Sequence, residues 1–161
     1  IKIPFWPVPL SFQTVICVLA GLLLGWKYGA LSMLCYLMLG LVGVPVFTKG
    51  RGYWYVMELT FGYILGFVAA AATAGAIAHR NNMPSFRRMI FASLAAMFAD
   101  YLFGTIYFCC IWRFYMHASG VWAALWTYNI LYIFKDIVLC VLAALLAKKL
   151  LPIVNKNFRA D

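Results

Sequence analysis

Acidic side chains are nearly missing from this chain, with 4 Asp and Glu in 161 residues against 13 Lys and Arg. Charge of either sign is scarce too, at 11% of residues where an ordinary soluble domain has about 25%. A domain of this length keeps much of its surface in water. A chain that is 66% hydrophobic, with a mean hydropathy of +0.93, cannot cover such a surface. Lipid solvates the excess instead, and the size leaves no room for a soluble catalytic domain.

Residue types that carry catalysis are short as well. His79 and His117 fall in predicted loops on opposite sides of the membrane, so no Ser/His/Asp set forms. There is no H-E-x-x-H pattern and no phosphate-cradling glycine loop. Active transport would therefore draw its energy from another subunit or from an ion gradient. Cys17, Cys35, Cys109, Cys110 and Cys140 show neither C-x-x-C nor Cys/His ligand spacing, so no zinc site or redox pair is expected. A nucleic-acid binder gathers its basic residues on one face. Here the net charge of +9 is spread between and beyond the apolar segments, as the ends of membrane helices require, so no nucleic-acid partner is expected.

What is abundant is long apolar sequence. A crossing needs about 20 mostly apolar residues, within about 17 to 25. Five stretches qualify or nearly so: Leu10–Gly25, Gly29–Phe47, Leu59–Ala78, Met89–Trp112 and about Ile130–Leu151. Val121–Tyr128, ahead of the last, reads as an outer re-entrant or interfacial piece, because residues 121–151 are too long for one crossing. The predicted fold is all-α, a polytopic transmembrane helical bundle built by residues 1–161 as one domain. With the C-terminus cytoplasmic, eight basic residues (Lys27, Arg80, Arg87, Arg88, Lys148, Lys149, Lys156, Arg159) lie inside and five (Lys2, Lys49, Arg51, Arg113, Lys135) outside. That asymmetry obeys the positive-inside rule in a multi-pass protein of the cell membrane. Five crossings that end inside begin outside, and residue 1 is Ile with no signal peptide ahead of it. The chain is therefore expected to lack an N-terminal helix that would make six.

Small residues mark where the helices touch, since in lipid close backbone approach drives association. Gly66, Ala70, Ala74 and Ala78 recur every fourth position, as do Ala92, Ala96 and Gly104, with Asp100 in the same row. An acid inside a span is costly and by default faces the bundle interior or a cavity; Asp100 and Asp136 qualify. Asp136 shares a helical face with Cys140, Ala143, Ala144 and Ala147, and is read as a functional group near the outer side. Lys135, rotated about 100° from it, either snorkels to the interface or meets a ligand. Asp100 is either a structural polar contact, bonded to Thr105 or a neighbouring Tyr, or a site. The loop Gly50-Arg51-Gly52-Tyr53-Trp54-Tyr55 is an interfacial belt or a cover over an apolar ligand. Thr60, Gly62 and Tyr63 then offer a hydroxyl, a bare backbone position and a phenol, which suit a small ligand with a polar head.

Several stretches together resemble the BioY family, the biotin-specific substrate-binding (S) subunit of energy-coupling-factor (ECF) transporters. They are Pro7-Val8-Pro9-Leu10-Ser11-Phe12-Gln13-Thr14, Leu19–Gly25, Leu39–Phe47, Thr60–Phe67, and Asp136 ahead of Ala143–Ala147, in family order across nearly the whole chain. The resemblance implies a six-helix membrane protein that captures biotin from outside, with no cofactor and no enzymatic activity. It implies as partners a transmembrane coupling subunit and two ATPases that drive release inward. It also maps Thr60, Gly62, Tyr63 and Asp136 onto pocket positions, with Asp136 accepting from the ureido N–H groups. The chain departs from the family pattern at Leu139, Lys135 and Phe61, where a lysine, a glycine and a glycine are common. Lys135 and Arg51 are the candidates for the ligand carboxylate.

Three other classes stand beside this one. An intramembrane enzyme would have only Asp100 and Asp136 to work with. An ion-coupled small-molecule carrier would use Asp100 as a proton relay. In a structural or assembly protein the outer polar groups would be incidental.

Overall fold

The structure, a computed structural model, describes residues 2–3, 10–47, 52–80, 84–115 and 121–158. A short antiparallel pair comes first, β1 (Lys2–Ile3) against β2 (Leu10–Ser11), with Lys2 opposite Ser11. The helices are α1 (Gln13–Val42), α2 (Phe61–Ala78), α3 (Phe86–Cys110) and α4 (Val121–Phe158). A 3-10 turn at Tyr53–Met57 leads into α2, and a π-helical turn at Ile111–Tyr115 extends α3. Among the described residues, four helices are long and apolar enough to cross a membrane, with α1 counted as one.

The first two predicted segments meet inside α1, which breaks at Gly25 (φ 81, ψ 177). A side chain rarely tolerates that backbone, and glycine does. The break reverses the chain. Gln13 Nε2 donates to the Tyr36 hydroxyl at 2.5 Å, although 23 residues of straight helix would part them by about 34 Å. A Cβ placed on Gly29 would lie 2.8 Å from Gly21 Cα. So α1 is a hairpin whose arms pack against each other, and Trp26, Lys27 and Tyr28, expected between segments, are already helical.

The break takes carbonyls of the first arm's last turn out of the helical ladder. His79, which caps the C-terminus of α2, donates Nε2–H to the Leu22 carbonyl at 2.8 Å and ties α2 to the hairpin turn. One such bond contributes about 1 kcal/mol. His79→Ala is therefore expected to lower the melting temperature in detergent by roughly 2–4 °C. An unchanged melting curve would show that this bond does not hold the turn.

Val121–Tyr128, read as an outer re-entrant or interfacial piece, is corrected on the first alternative: it is continuous with α4, which runs over 38 residues with its apolar span at Tyr132–Val154, and it lies ahead of that span. A helix that long, about 57 Å, exceeds the hydrocarbon layer of about 30 Å, so it need not stop where the membrane does. Within the bundle, α2 lies along α1 and α3, and α4 packs on α1 and α3. The small-residue rows are the seams. Ala70, Ala74, Ala78, Ala92, Ala96, Ala143, Ala144 and Ala147 are all 0% exposed, while Phe91, Phe98, Leu102 and Ile106 face outward.

Candidate functional site

Helix α4 carries Asp136 into the interior at the seam that Cys140, Ala143 and Ala147 define, and 4% of the residue stays exposed. Helix α3 meets it with Tyr101, whose hydroxyl donates to Asp136 Oδ2 at 2.7 Å. The other oxygen, Oδ1, lies 2.9 Å from Lys135 Nζ as an ion pair, yet it is buried without a hydrogen bond of good geometry. Lys135 leaves α4 about 100° away from Asp136, as helical geometry requires. Its long stem folds back, however, and sets the ammonium beside Asp136 and 5.5 Å from the centre of the Tyr132 ring.

Helix α2 supplies the next layer. Tyr63 stands edge-on to Tyr101, centroids 5.9 Å apart at 85°. It reaches there because Gly104 has no side chain: a Cβ on that glycine would sit 2.3 Å from the Tyr63 ring. The relation is reciprocal, since a Cβ on Gly62 would sit 2.2 Å from Tyr107 Cβ. Gly62 thus opens space for a tyrosine of α3. Tyr107 donates to the Val56 carbonyl and packs edge-on against Phe61 at 5.6 Å. Thr60 leaves the start of α2 uncapped and shares a hydrogen bond with the buried Tyr55 hydroxyl at 3.1 Å. Tyr55 in turn packs on Phe47 at 4.6 Å, and the Phe47 ring lies on Gly40. The Gly52 N–H donates to the Gly40 carbonyl at 2.9 Å, pinning the loop to the hairpin's second arm.

Of the residues singled out by sequence, Tyr63, Asp136 and Lys135 are linked through Tyr101, and Thr60 and Gly62 belong to an adjoining aromatic cluster. Arg51 lies outside the described residues. All the others sit at one end of the bundle, opposite the Gly25 turn and His79. The sequence reading missed Tyr101, Tyr107 and the Gln13–Tyr36 bond. Their partners lie on other helices, so no local spacing marks them. Asp100, 3% exposed, packs against Gly66 with Oδ1 unpaired, within electrostatic reach of Asp136 and Lys135. Among the described residues, no three His, Cys, Asp or Glu side chains gather in a way that could hold a metal.

A buried carboxylate beside a cation, walled by phenols, is suited to a small polar ring such as a cyclic amide or urea. The BioY family profile matches residues 1–156. The chain is 36% identical over 151 residues to the probable biotin transporter BioY of Lysinibacillus sphaericus, covering 93% of this chain and 77% of that one. It is 31% identical over 151 residues to the biotin transporter BioY of Thermotoga maritima, covering 93% and 85%. Its structure superposes on the crystal structure of the S-component for biotin from an ECF-type ABC transporter with a TM-score of 0.72 and 27% identity, over 93% of this chain and 79% of the other. Sequence and helix arrangement thus agree along nearly the whole length, and the chain belongs to the BioY family.

Proposed function

We propose that this protein captures biotin within the membrane as the substrate-binding subunit of an ECF transporter, with Asp136 as the polar anchor. Biotin is its cargo rather than a cofactor, and transport rather than catalysis is its task. Relatives named as biotin transporters and the likeness to a biotin S-component support the ligand. The observation that carries the site is the buried Asp136 carboxylate with one oxygen still lacking a hydrogen bond.

The cyclic urea of biotin carries N–H and C=O groups side by side on one edge. Asp136 Oδ1 and Lys135 Nζ, 2.9 Å apart, offer an acceptor and a donor in the same sense. In this reading Asp136 takes a ureido N–H and Lys135 the ureido oxygen. Tyr63, and Tyr107 through the space left by Gly62, flank the rings, and Thr60 with Tyr55 edges the apolar side. The two ends of biotin are too far apart for the tail carboxylate also to meet Lys135. Arg51, next to the pinned Gly52, is then the group for the tail.

The chain crosses the membrane five times in this reading, with the two arms of α1 as separate crossings; the Gln13–Tyr36 bond supports that count. The C-terminus is cytoplasmic, supported by the eight-to-five division of Lys and Arg. The site then faces outward, and a transmembrane coupling subunit with two ATPases supplies the energy for release inward. Calorimetric titration of biotin into the detergent-purified full-length protein is expected to give saturable one-to-one heat. A folded protein that evolves no heat with biotin would sink the reading.

A further inference from the structure

Tyr101 lies outside every motif that the sequence offers, yet it is the one described side chain that hydrogen-bonds the anchor carboxylate. Its hydroxyl bond to Asp136 Oδ2 is a phenol-to-carboxylate contact, a short and strong class of bond. The ring cannot swing freely. It is braced edge-on by Tyr63, which itself rests flush on Gly104. Contacts therefore run from α2 through α3 to the carboxylate on α4. They hold the Asp136 side chain through Oδ2, while Oδ1 faces the Lys135 ammonium at 2.9 Å without a hydrogen bond of good geometry.

We propose that Tyr101 is a positioning residue that turns Asp136 into a one-oxygen acceptor, so that the site distinguishes the two ureido nitrogens of its ligand. This rests on the biotin reading above. A carboxylate free to rotate could meet either N–H of a cyclic urea. One locked through Oδ2 presents Oδ1 in one direction, to one nitrogen. Methylation of that nitrogen removes the donor and puts a methyl group against a buried oxygen, whereas methylation of the other leaves the contact in place.

The test compares biotin and its two mono-N-methyl ureido isomers, titrated into the full-length protein and its Tyr101→Phe variant. Phenylalanine keeps the ring against Tyr63 and removes only the hydroxyl. In the wild type, one isomer is expected to bind within about threefold of biotin and the other at least about 100-fold more weakly, because it loses a hydrogen bond to a charged group and sets a methyl group against a buried oxygen. In Tyr101→Phe, biotin binding is expected to fall roughly tenfold and the gap between isomers to shrink below about tenfold, while the protein still melts cooperatively, roughly 2–4 °C lower for the lost hydrogen bond. A wild type that treats the isomers alike would overturn the inference, and so would a variant that keeps the full gap, whatever its affinity for biotin. Failure of the wild type to bind biotin at all would instead be a failure of the functional reading, visible in the same titrations.

Discussion

Exchanging Asp136 for asparagine is expected to weaken biotin binding by at least about 100-fold, while the protein still folds and melts cooperatively. The substitution keeps the shape of the side chain and removes its charge. A hydrogen bond to a charged group contributes about 1.5–3 kcal/mol, and the amide can turn a donor toward the ureido N–H where an acceptor was. Lys135 also loses its ion-pair partner at 2.9 Å, so the ammonium no longer holds a fixed direction for the ureido oxygen. Together these amount to about 3 kcal/mol or more, and every 1.4 kcal/mol is a factor of about ten in affinity. The fold survives because the Lys135 side chain is 24% exposed, and a lysine so placed can extend its stem toward polar surroundings. Calorimetric titration of the two proteins side by side measures the ratio. A variant that binds biotin as tightly as the wild type would remove Asp136 from the site while leaving the function standing.

The seams of the bundle were legible in the sequence because they depend on one helix at a time. Spacing of four along α2 put Gly66, Ala70, Ala74 and Ala78 on one face, and the structure buries all of them. The same logic put Asp136 beside Cys140 and Ala143. The limits of the helices were read less well. Trp26, Lys27 and Tyr28 looked like a connection because they are bulky or charged, but a helix can reverse at a single glycine and resume at once. The start of α4 was split from its span because hydropathy counts reach into lipid, whereas backbone hydrogen bonding continues past it. Tyr101 was not legible at all: it follows Asp100 in the chain, and its partner is 35 residues away on another helix. Lys135 shows the remaining difficulty. Its position on the helical wheel was read correctly, and the reach of its side chain decided where the charge went.

At the far end of the bundle, Gly75→Ala is expected to be the most damaging single-methyl substitution among the described glycines. A Cβ there would lie 2.2 Å from Trp26 N, 2.4 Å from Gly25 C and 2.5 Å from Trp26 Cα. All three atoms are backbone, at the point where α1 reverses. At Gly104 the obstructing atoms belong to the Tyr63 ring, which can tilt. At Gly75 either α2 or the hairpin turn must move away, and the His79 bond to Leu22 sits one turn along the same contact. Overpacking a rigid contact costs about 1–3 kcal/mol, and occasionally more. With the His79 bond strained as well, the melting temperature is expected to fall by at least about 6 °C. The proposed biotin site lies at the opposite end of the bundle, separated from this turn by the length of α2. The fraction of Gly75→Ala protein that remains folded should therefore bind biotin with an affinity within about twofold of the wild type. Melting curves and titrations on the same preparation separate the two effects. An unchanged melting temperature would mean that α2 and the turn at Gly25 do not touch as described. A lowered melting temperature with equally lowered affinity would mean that the hairpin turn and the site move together.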